Sequence, residues 1–465
     1  MSEDTVPLDP ARARTRGADA IERARAAQPE WAARDFAERG ERLHQLRDAI
    51  LDRAEALVET LGEVTGSPAV EALLHEVLVA ADLAGHYARE ASRILAPRDL
   101  PLRLYRNRRA YARYLPRGVV LVVGPQVLPF VLPLADVVTA LAAGNSAVVA
   151  LPAECGAIAR ELRQLTAEPF GDAVQVLEGG PPVVHSAIDA DPDFIAFTGS
   201  EDAGRAVAVR AAQRLIPSRI HVGGHAPAIV AADADIARTA KALVWGAFHL
   251  GGRSCVRVAR VCVDERIAAE LTARMHEEIA SLRVASDPGP AVDVVTRHAE
   301  PLELPPGALG APPGPVLIPD CPLDATIARR PPPLVLPIHP MPESELVAAG
   351  ATRGLAAYVF TKDKERGRTW AEALPAGLVM VNNVVGAYGT PETPVGPVGM
   401  GWGHVHGDEG LREMCHLGQI SHERVAVPRE PVWFPYGERA YKAGLKAMRL
   451  LYRRGSAVKK ILDLF

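Results

Sequence analysis

Along residues 36–61 the apolar positions fall at Phe36, Leu43, Leu46, Ile50, Leu57 and Leu61. Steps of three, four and seven trace one face of a helix, with charged residues on the other. Gly66 and Pro68 end the run, and 70–95 predicts a second helix. After Arg117 the texture changes. Residues 118–123 form a β-branched run without polar alternation, as in a strand covered on both faces. Gly124 and Pro125 break it. A helix is expected over 132–143, stopped by Gly144 and Asn145, and a strand over 147–150. Strand, helix and strand in this order make a βαβ unit with a parallel sheet. The alternation continues with a helix at 156–166, strands at 173–177 and 194–197, and a helix at 203–214. This is the pattern of a doubly wound α/β domain, which binds nucleotides at the carboxyl ends of its strands.

A second α/β run begins near Ile220. It predicts strands at 228–230 and 261–263 and helices at 236–248 and 267–279. Thirteen prolines then fall between residues 305 and 342, which predicts extended loop or edge structure. Strands resume at 356–360 and 378–381, and 386–410 is a glycine-rich loop. Residues 442–454 predict a basic helix with Leu445, Met448, Leu450 and Leu451 along it. Such a tail can touch a membrane surface. Packing on its own domain or on a subunit partner is the commoner use and the expectation here.

The 465 residues suggest about three domains, and 48% apolar with 23% charged is ordinary for a globular chain. A net charge of −4 carries no nucleic-acid footprint, and 5% aromatic residues offer little base stacking. Five cysteines without CxxC spacing argue against zinc and for a reducing, cytoplasmic setting. The N-terminus has no signal-peptide core. Residues 118–135 are uncharged, but Pro125, Pro129 and Pro133 argue against a membrane span.

Several residues could carry chemistry. Phe197-Thr198-Gly199-Ser200, closed by Gly204-Arg205, joins a strand to a helix whose first N–H groups can hold a phosphate. A tight turn that merely needs glycines explains it equally well. Cys255 follows Gly251-Gly252-Arg253-Ser254, where the arginine can favour thiolate; a buried structural cysteine is the alternative. Cys262 alternates within a strand, as a core residue does. His221 stands at a strand end before Gly223-Gly224-His225 and could act as a base near neutral pH, or simply fill space. His404 and His406 lack further ligands, so no metal site is expected.

Read in order, these segments resemble the aldehyde dehydrogenase superfamily, its class 3 branch most, from about Arg34 to about Arg424. Gly118-Val-Val-Leu-Val-Val-Gly-Pro125 resembles the strand leading to GPWNxP, and Leu141-Ala-Ala-Gly-Asn145 resembles AAGN. Phe197-Thr-Gly-Ser200 with Gly204-Arg205 matches FTGSxxxGR. Ile220-His-Val-Gly-Gly-His-Ala-Pro227 parallels LELGGKSP, and Phe248-His-Leu-Gly-Gly-Arg-Ser-Cys255 parallels FxNAGQTC. Val395–Gly403 with His406-Gly407 parallels FGGVGxSGxGxYHG. The 34 positions from His221 to Cys255 reproduce the family's base-to-nucleophile interval.

The resemblance implies an α/β fold of aldehyde dehydrogenase type. Its parts would be a helical N-terminus with a doubly wound dinucleotide-binding domain (1–219, with a bridging strand near 105–114), a second α/β catalytic domain (220–419) and an oligomerisation strand with a helical tail (420–465). It implies a homodimer that oxidises a small aldehyde to a carboxylic acid with NAD or NADP, through a cysteine thiohemiacetal and thioester. Cys255 takes the nucleophile's place and His221 the general base's, where the family has glutamate. Gly199, Ser200 and Gly204 take the cofactor-binding turn. The family's oxyanion-hole asparagine falls on Val127, its cofactor lysine on Leu151 and its ribose-binding glutamate near Arg330. Losing one oxyanion donor typically costs roughly 3–4 kcal/mol. The departures leave two further readings: a catalytically impaired relative used for binding or structure, and an acylating enzyme in which coenzyme A resolves the thioester. With an ordinary histidine pKa of about 6.5, His221 predicts activity rising through about pH 6–7.

Overall fold

A computed structural model describes residues 10–452, apart from 103, 104, 106, 224, 290, 291, 300, 301, 427, 429, 431 and 432. Gly224 and the end of the predicted tail helix at Arg453 and Arg454 lie outside the described residues. The chain forms two compact units, Met1–Ala96 with Tyr114–Leu417 and Pro97–Arg113 with Gly418–Phe465.

The first unit holds two six-stranded sheets. In the first sheet the strands Ser218–Val222, Phe194–Gly199, Val119–Val123, Ser146–Leu151 and Val174–Glu178 lie side by side and parallel. Gly401–Trp402 adds an antiparallel edge, with Gly401 opposite His221. All of Val119–Val123 and Ser146–Leu151 is buried, as their unbroken apolar runs require. The connecting helix Val131–Ala142 is apolar nearly all round, and every residue but Leu132 is buried. Asn145 caps this corner: its Oδ1 accepts from Gly118 N (2.9 Å), and its Nδ2 donates to the carbonyls of Ala140 (3.1 Å) and Met414 (2.9 Å).

In the second sheet Val316–Ile318, Val335–Met341, Val258–Asp264, Ala226–Val230, Gly354–Phe360 and Ala376–Val381 run parallel in that order. Ser218–Val222 belongs to the first sheet and Ala226–Val230 to the second, so the chain changes sheets after Val222 rather than at residue 220. The proline-rich stretch also departs from expectation, because Val335–Met341 lies inside the second sheet despite Pro337 and Pro340. The staggered register explains this. Val335–Pro337 pairs with one neighbour and Ile338–Met341 with the other, so neither half is bonded on both sides along its length.

At the N-terminus the run predicted as one helix is two, Phe36–Asp52 and Ala54–Thr65, parted at Arg53. The next helix is interrupted as well. Ala69–Glu71 passes through a π-helical segment, Ala72–Val77, before Leu78–Ile94. A three-stranded sheet sets Arg98–Leu100 antiparallel to Arg108–Pro116, with Cys415–Glu423 beside the latter; all of it but Tyr114–Pro116 and Cys415–Leu417 falls in the second unit. The second unit also contains the helix Glu438–Tyr452, on which Tyr441, Met448 and Tyr452 are exposed. Among the described residues no helix is long and apolar enough to cross a membrane.

One charge pair is shut inside the first unit. The Arg219 guanidinium, on the strand that carries His221, meets the Asp136 carboxylate of the buried helix, with side chains 1% and 5% exposed. Removing one partner of such a pair strands the other charge away from water. Asp136→Ala should therefore lower unfolding free energy by about 3–5 kcal/mol, read from urea denaturation midpoints. A loss under about 1 kcal/mol would show that water reaches Arg219 and that the pair is not a buried one.

Candidate active site

The carboxyl ends of the first sheet's strands open onto a cleft of about 1040 Å3. Gly124 and Val127 follow the first of these strands, Leu151 and Glu154 the next, and Gly199 and Ser200 a third. His221 enters from Ser218–Val222, and Gly252–Cys255 reach the same cleft from the end of the helix Ile236–Phe248. The fold thus brings Cys255, His221, Gly199 and Ser200 together. Gly204 stands outside the lining. A Cβ there would lie 2.6 Å from Val222 Cγ1 and 3.0 Å from the Phe197 ring, so its glycine lets the helix approach the sheet. A Cβ on Gly199 would meet the same ring at 2.7 Å.

Ser200 is the N-cap of the helix Glu201–Gln213, its hydroxyl oxygen accepting from Ala203 N at 3.4 Å. Helix geometry leaves the N–H groups of Glu201 and Asp202 without intrahelical partners, and both residues line the cleft. Arg330 donates to Glu201 in this turn (2.8 Å), but both side chains are largely exposed and the pair adds little stability.

Cys255 is half-buried, whereas Cys155, Cys262, Cys321 and Cys415 are buried. Burial pushes Cys155 and Cys415 up to about 12, Cys262 to about 11, and raises Cys321 too. The turn before Cys255 is left-handed at Leu250, Gly251 and Gly252, with φ of 53°, 61° and 69°. A Cβ on Gly252 would strike Leu334 N at 2.6 Å, so the proline-rich segment closes over the turn only because glycine is there. The Glu71 carboxylate holds the turn, accepting from Leu250 N at 3.0 and 3.1 Å. Arg253 donates to the Thr65 carbonyl (3.0 Å), which ties its guanidinium to the scaffold. Burial pushes Glu71 up to about 7 against this hydrogen bond and Arg253.

His221 is 2% exposed. Its Nε2 lies 3.1 Å from the Gly403 carbonyl, an acceptor, so Nε2 carries the proton and donates. Nδ1 is left as a bare lone pair without a partner among the described residues. Burial first, and Arg219 second, push its pKa down to about 3. The expectation of a histidine titrating near 6.5 is thus corrected: His221 stays neutral across the working range. Val127 is half-buried and Leu151 fully buried in the cleft wall, and neither brings a polar side-chain atom to it.

Several cleft residues escaped the sequence reading. Gln126 and Glu154 line the cleft with exposed side chains. Each is a lone polar residue beside an apolar run, which is the signal that could have found them. Arg257 is buried and donates to the carbonyls of Pro331, Pro332 and Val335; burial lowers its pKa to about 10. Its mark in the sequence is a charge between Val256 and Val258, just before the apolar strand that follows Cys255. Glu71, distant in sequence, left no mark.

With the geometry in hand, likeness to known proteins can be placed beside it. The sequence model of the aldehyde dehydrogenase family matches residues 9–300. A 4,4'-diapolycopene aldehyde oxidase from Methylomonas is 32% identical over 458 residues, covering 92% of this chain and 86% of that protein. A putative succinate-semialdehyde dehydrogenase [NADP(+)] from Mycolicibacterium smegmatis is 29% identical, covering 88% and 84%. Among solved structures, the NADP-dependent glyceraldehyde-3-phosphate dehydrogenase of Bacillus halodurans, complexed with NADP, superposes with a TM-score of 0.81 at 26% identity, covering 89% and 92%. An NAD-dependent aldehyde dehydrogenase from Sinorhizobium meliloti gives 0.81 at 25% identity, covering 90% and 89%.

The contrast among the cysteines makes a prediction. Limited alkylation of the native protein with iodoacetamide, followed by peptide mapping, should label Cys255 at least about tenfold faster than the other four, because thiolate fraction and access set the rate. Comparable labelling of Cys155, Cys321 or Cys415 would contradict it.

Proposed function

Because the chain belongs to the aldehyde dehydrogenase family, we propose that it oxidises an aldehyde to a carboxylic acid with NAD or NADP, using Cys255 as the nucleophile. One observation carries this reading: the half-buried cysteine, among five, lines the same cleft as the open helix start at Ser200. The neighbours whose names include NADP or NAD support the cofactor class.

The residues present fit a dinucleotide. The first N–H groups of Glu201–Gln213 would hold its diphosphate. Glu154, an acid at a strand's carboxyl end, would accept from ribose hydroxyls. When bound, the oxidised nicotinamide supplies the hydride acceptor. Cys255 supplies the covalent handle: its sulfur bonds to the carbonyl carbon and the carbonyl oxygen takes the electron pair. With valine at position 127, backbone N–H groups such as that of Cys255 stabilise this oxyanion. The acyl group left on Cys255 is a thioester. Water adds to the acyl carbon, the carbon–sulfur bond breaks, and the acid leaves as Cys255 regains its electron pair.

His221 does not serve this step as a titrating base. A conjugate acid near 3 makes its Nδ1 a weak proton acceptor, so it orients the water through a hydrogen bond. The same weakness favours a second reading, transfer of the acyl group to a thiol such as coenzyme A, which brings its own nucleophile. For assembly we propose a homodimer, with the strands of residues 97–113 and 418–423 as the contact arm. The three-part division at residues 219 and 419 is part of the same reading, its first boundary moved past Val222.

Two experiments follow. The acid form of His221 appears only near pH 3, so its active, neutral form is complete from about pH 5 upward. The kcat profiles of wild type and His221→Ala should therefore be parallel between about pH 5.5 and 8.5, with the variant slower in acid release by about 10- to 100-fold. An inflection near pH 6.5 that vanishes in His221→Ala would contradict the assignment. A pre-steady-state burst of reduced cofactor whose turnover requires coenzyme A would select the acylating reading, and no reduced cofactor from a broad aldehyde panel would end the oxidation reading. Separately, light scattering should give a dimer mass for the full chain and a monomer for the chain ending at Ile420. Unchanged assembly after truncation would remove the arm from the account.

A further inference from the structure

The helix Glu438–Tyr452 departs from the expectation of a tail packed on its own domain. Every residue described along it is exposed except Leu445, which is half-buried. At Gly444, midway along, an added Cβ would meet no neighbouring atom within 4 Å.

The two faces of this helix differ in kind. Tyr441, Leu445, Met448 and Tyr452 recur at steps of four, three and four, which places them on one face, with Leu451 at its flank. Tyr441 is 67% exposed, and Met448, Leu451 and Tyr452 are exposed as well. Arg439, Lys442, Lys446 and Arg449 recur at steps of three, four and three and form the adjoining face. Glu438, which pairs with Lys442 at 2.8 Å, is the only acid in residues 431–462. Charge is segregated along the chain too. Residues 438–465 hold eight of the 52 lysines and arginines and two of the 56 acids, so this stretch carries +6 and the rest of the sequence −10. Just ahead of the helix Trp433, Phe434 and Tyr436 are exposed, with the rings of Phe434 and Tyr436 4.5 Å apart.

A 15-residue helix is marginal in water unless a surface covers its apolar face. The surface that fits this one offers negative charge beside an apolar layer, as an anionic bilayer does. Exposed tryptophan and tyrosine are the side chains that settle at the boundary between headgroups and acyl chains. The helix is about 22 Å long and carries four cations, so it would lie in the interface rather than cross it. Pairing with the same face of a second copy would set like charges together. A nucleic acid would meet the basic face and leave the apolar one in water.

We propose that the helix Glu438–Tyr452, with Trp433, Phe434 and Tyr436 ahead of it, docks into the headgroup layer of an anionic bilayer. Its apolar face enters among the acyl chains, and its lysines and arginines meet lipid phosphates. This contact stands whether or not Cys255 oxidises an aldehyde.

The test is flotation of the full-length protein with vesicles of phosphatidylcholine alone or with about 30% phosphatidylglycerol. Partition onto the anionic vesicles should exceed that onto the neutral ones by about tenfold or more at about 0.1 M salt, and fall steeply by about 0.5 M. Lys442→Glu, Lys446→Glu and Arg449→Glu together should lower it by about 100-fold. Tyr441→Asp with Met448→Asp leaves every basic residue in place and should still cost about tenfold or more, because the apolar face must enter the acyl chains. All five side chains are exposed, so thermal unfolding of both variants should match wild type, which separates lost docking from lost folding. Equal partition onto both vesicles, binding to neither, or a Tyr441 and Met448 variant that binds like wild type would overturn the proposal. So would capture of poly(U) RNA with vesicles left unbound. A chain ending at Tyr436 that falls from dimer to monomer mass in light scattering, while wild type ignores vesicles, would assign the face to a second copy instead.

Discussion

Cys255 is presented by a turn that the chain does not favour on its own. Leu250 adopts a left-handed conformation that costs an L-residue about 1–2 kcal/mol, and two glycines continue it. What holds the turn is a buried carboxylate, Glu71, bonded through both oxygens to Leu250 N. Five residues on, Glu76 is fully buried and accepts from Phe130 N and Val131 N, at the start of the helix that follows Val127. One helical segment therefore pins both walls of the cleft. Its π-helical turn, Ala72–Val77, makes this possible, because i→i+5 hydrogen bonding brings residues five apart towards one face. Burial pushes both glutamates up to about 7, and the backbone N–H bonds each accepts act against that shift.

The same desolvation that strains these carboxylates sets the chemistry of the cleft. It removes basicity from His221, holds four cysteines in the thiol form and keeps His249 neutral. The half-buried position of Cys255 is thus selective by contrast: the other thiols are disarmed by being covered. Arg219, paired with Asp136 under the same strand, adds a positive field that further disfavours a proton on His221. A strand built to be stable at its core is for that reason a poor place for a titrating base.

Much of the architecture was legible in the chain. The apolar runs at 118–123 and 147–150 predicted covered strands, found at Val119–Val123 and Ser146–Leu151, and the strand–helix alternation around them predicted a parallel sheet. Gly199-Ser200 predicted a helix start, because this is a local demand on backbone conformation. The proline-rich stretch misled, since a proline's compatibility with a sheet depends on which of its sides is paired, and that is a matter of register with strands far away in sequence. Gly204 was read as part of a phosphate loop, whereas its smallness is required by Val222 and Phe197.

The sequence by itself determined the order of elements, the place of Cys255 after its glycines and the residue types available to the site. These follow from periodicity and backbone preference, which act over a few neighbouring residues. Only the tertiary structure decided what those residues can do. The pKa of His221, the engagement of Arg253 with Thr65 and the grip of Glu71 on Leu250 all depend on what surrounds each group. Solvent exclusion and electrostatic fields are summed over neighbours from every part of the chain, so they come into existence only when the chain has folded.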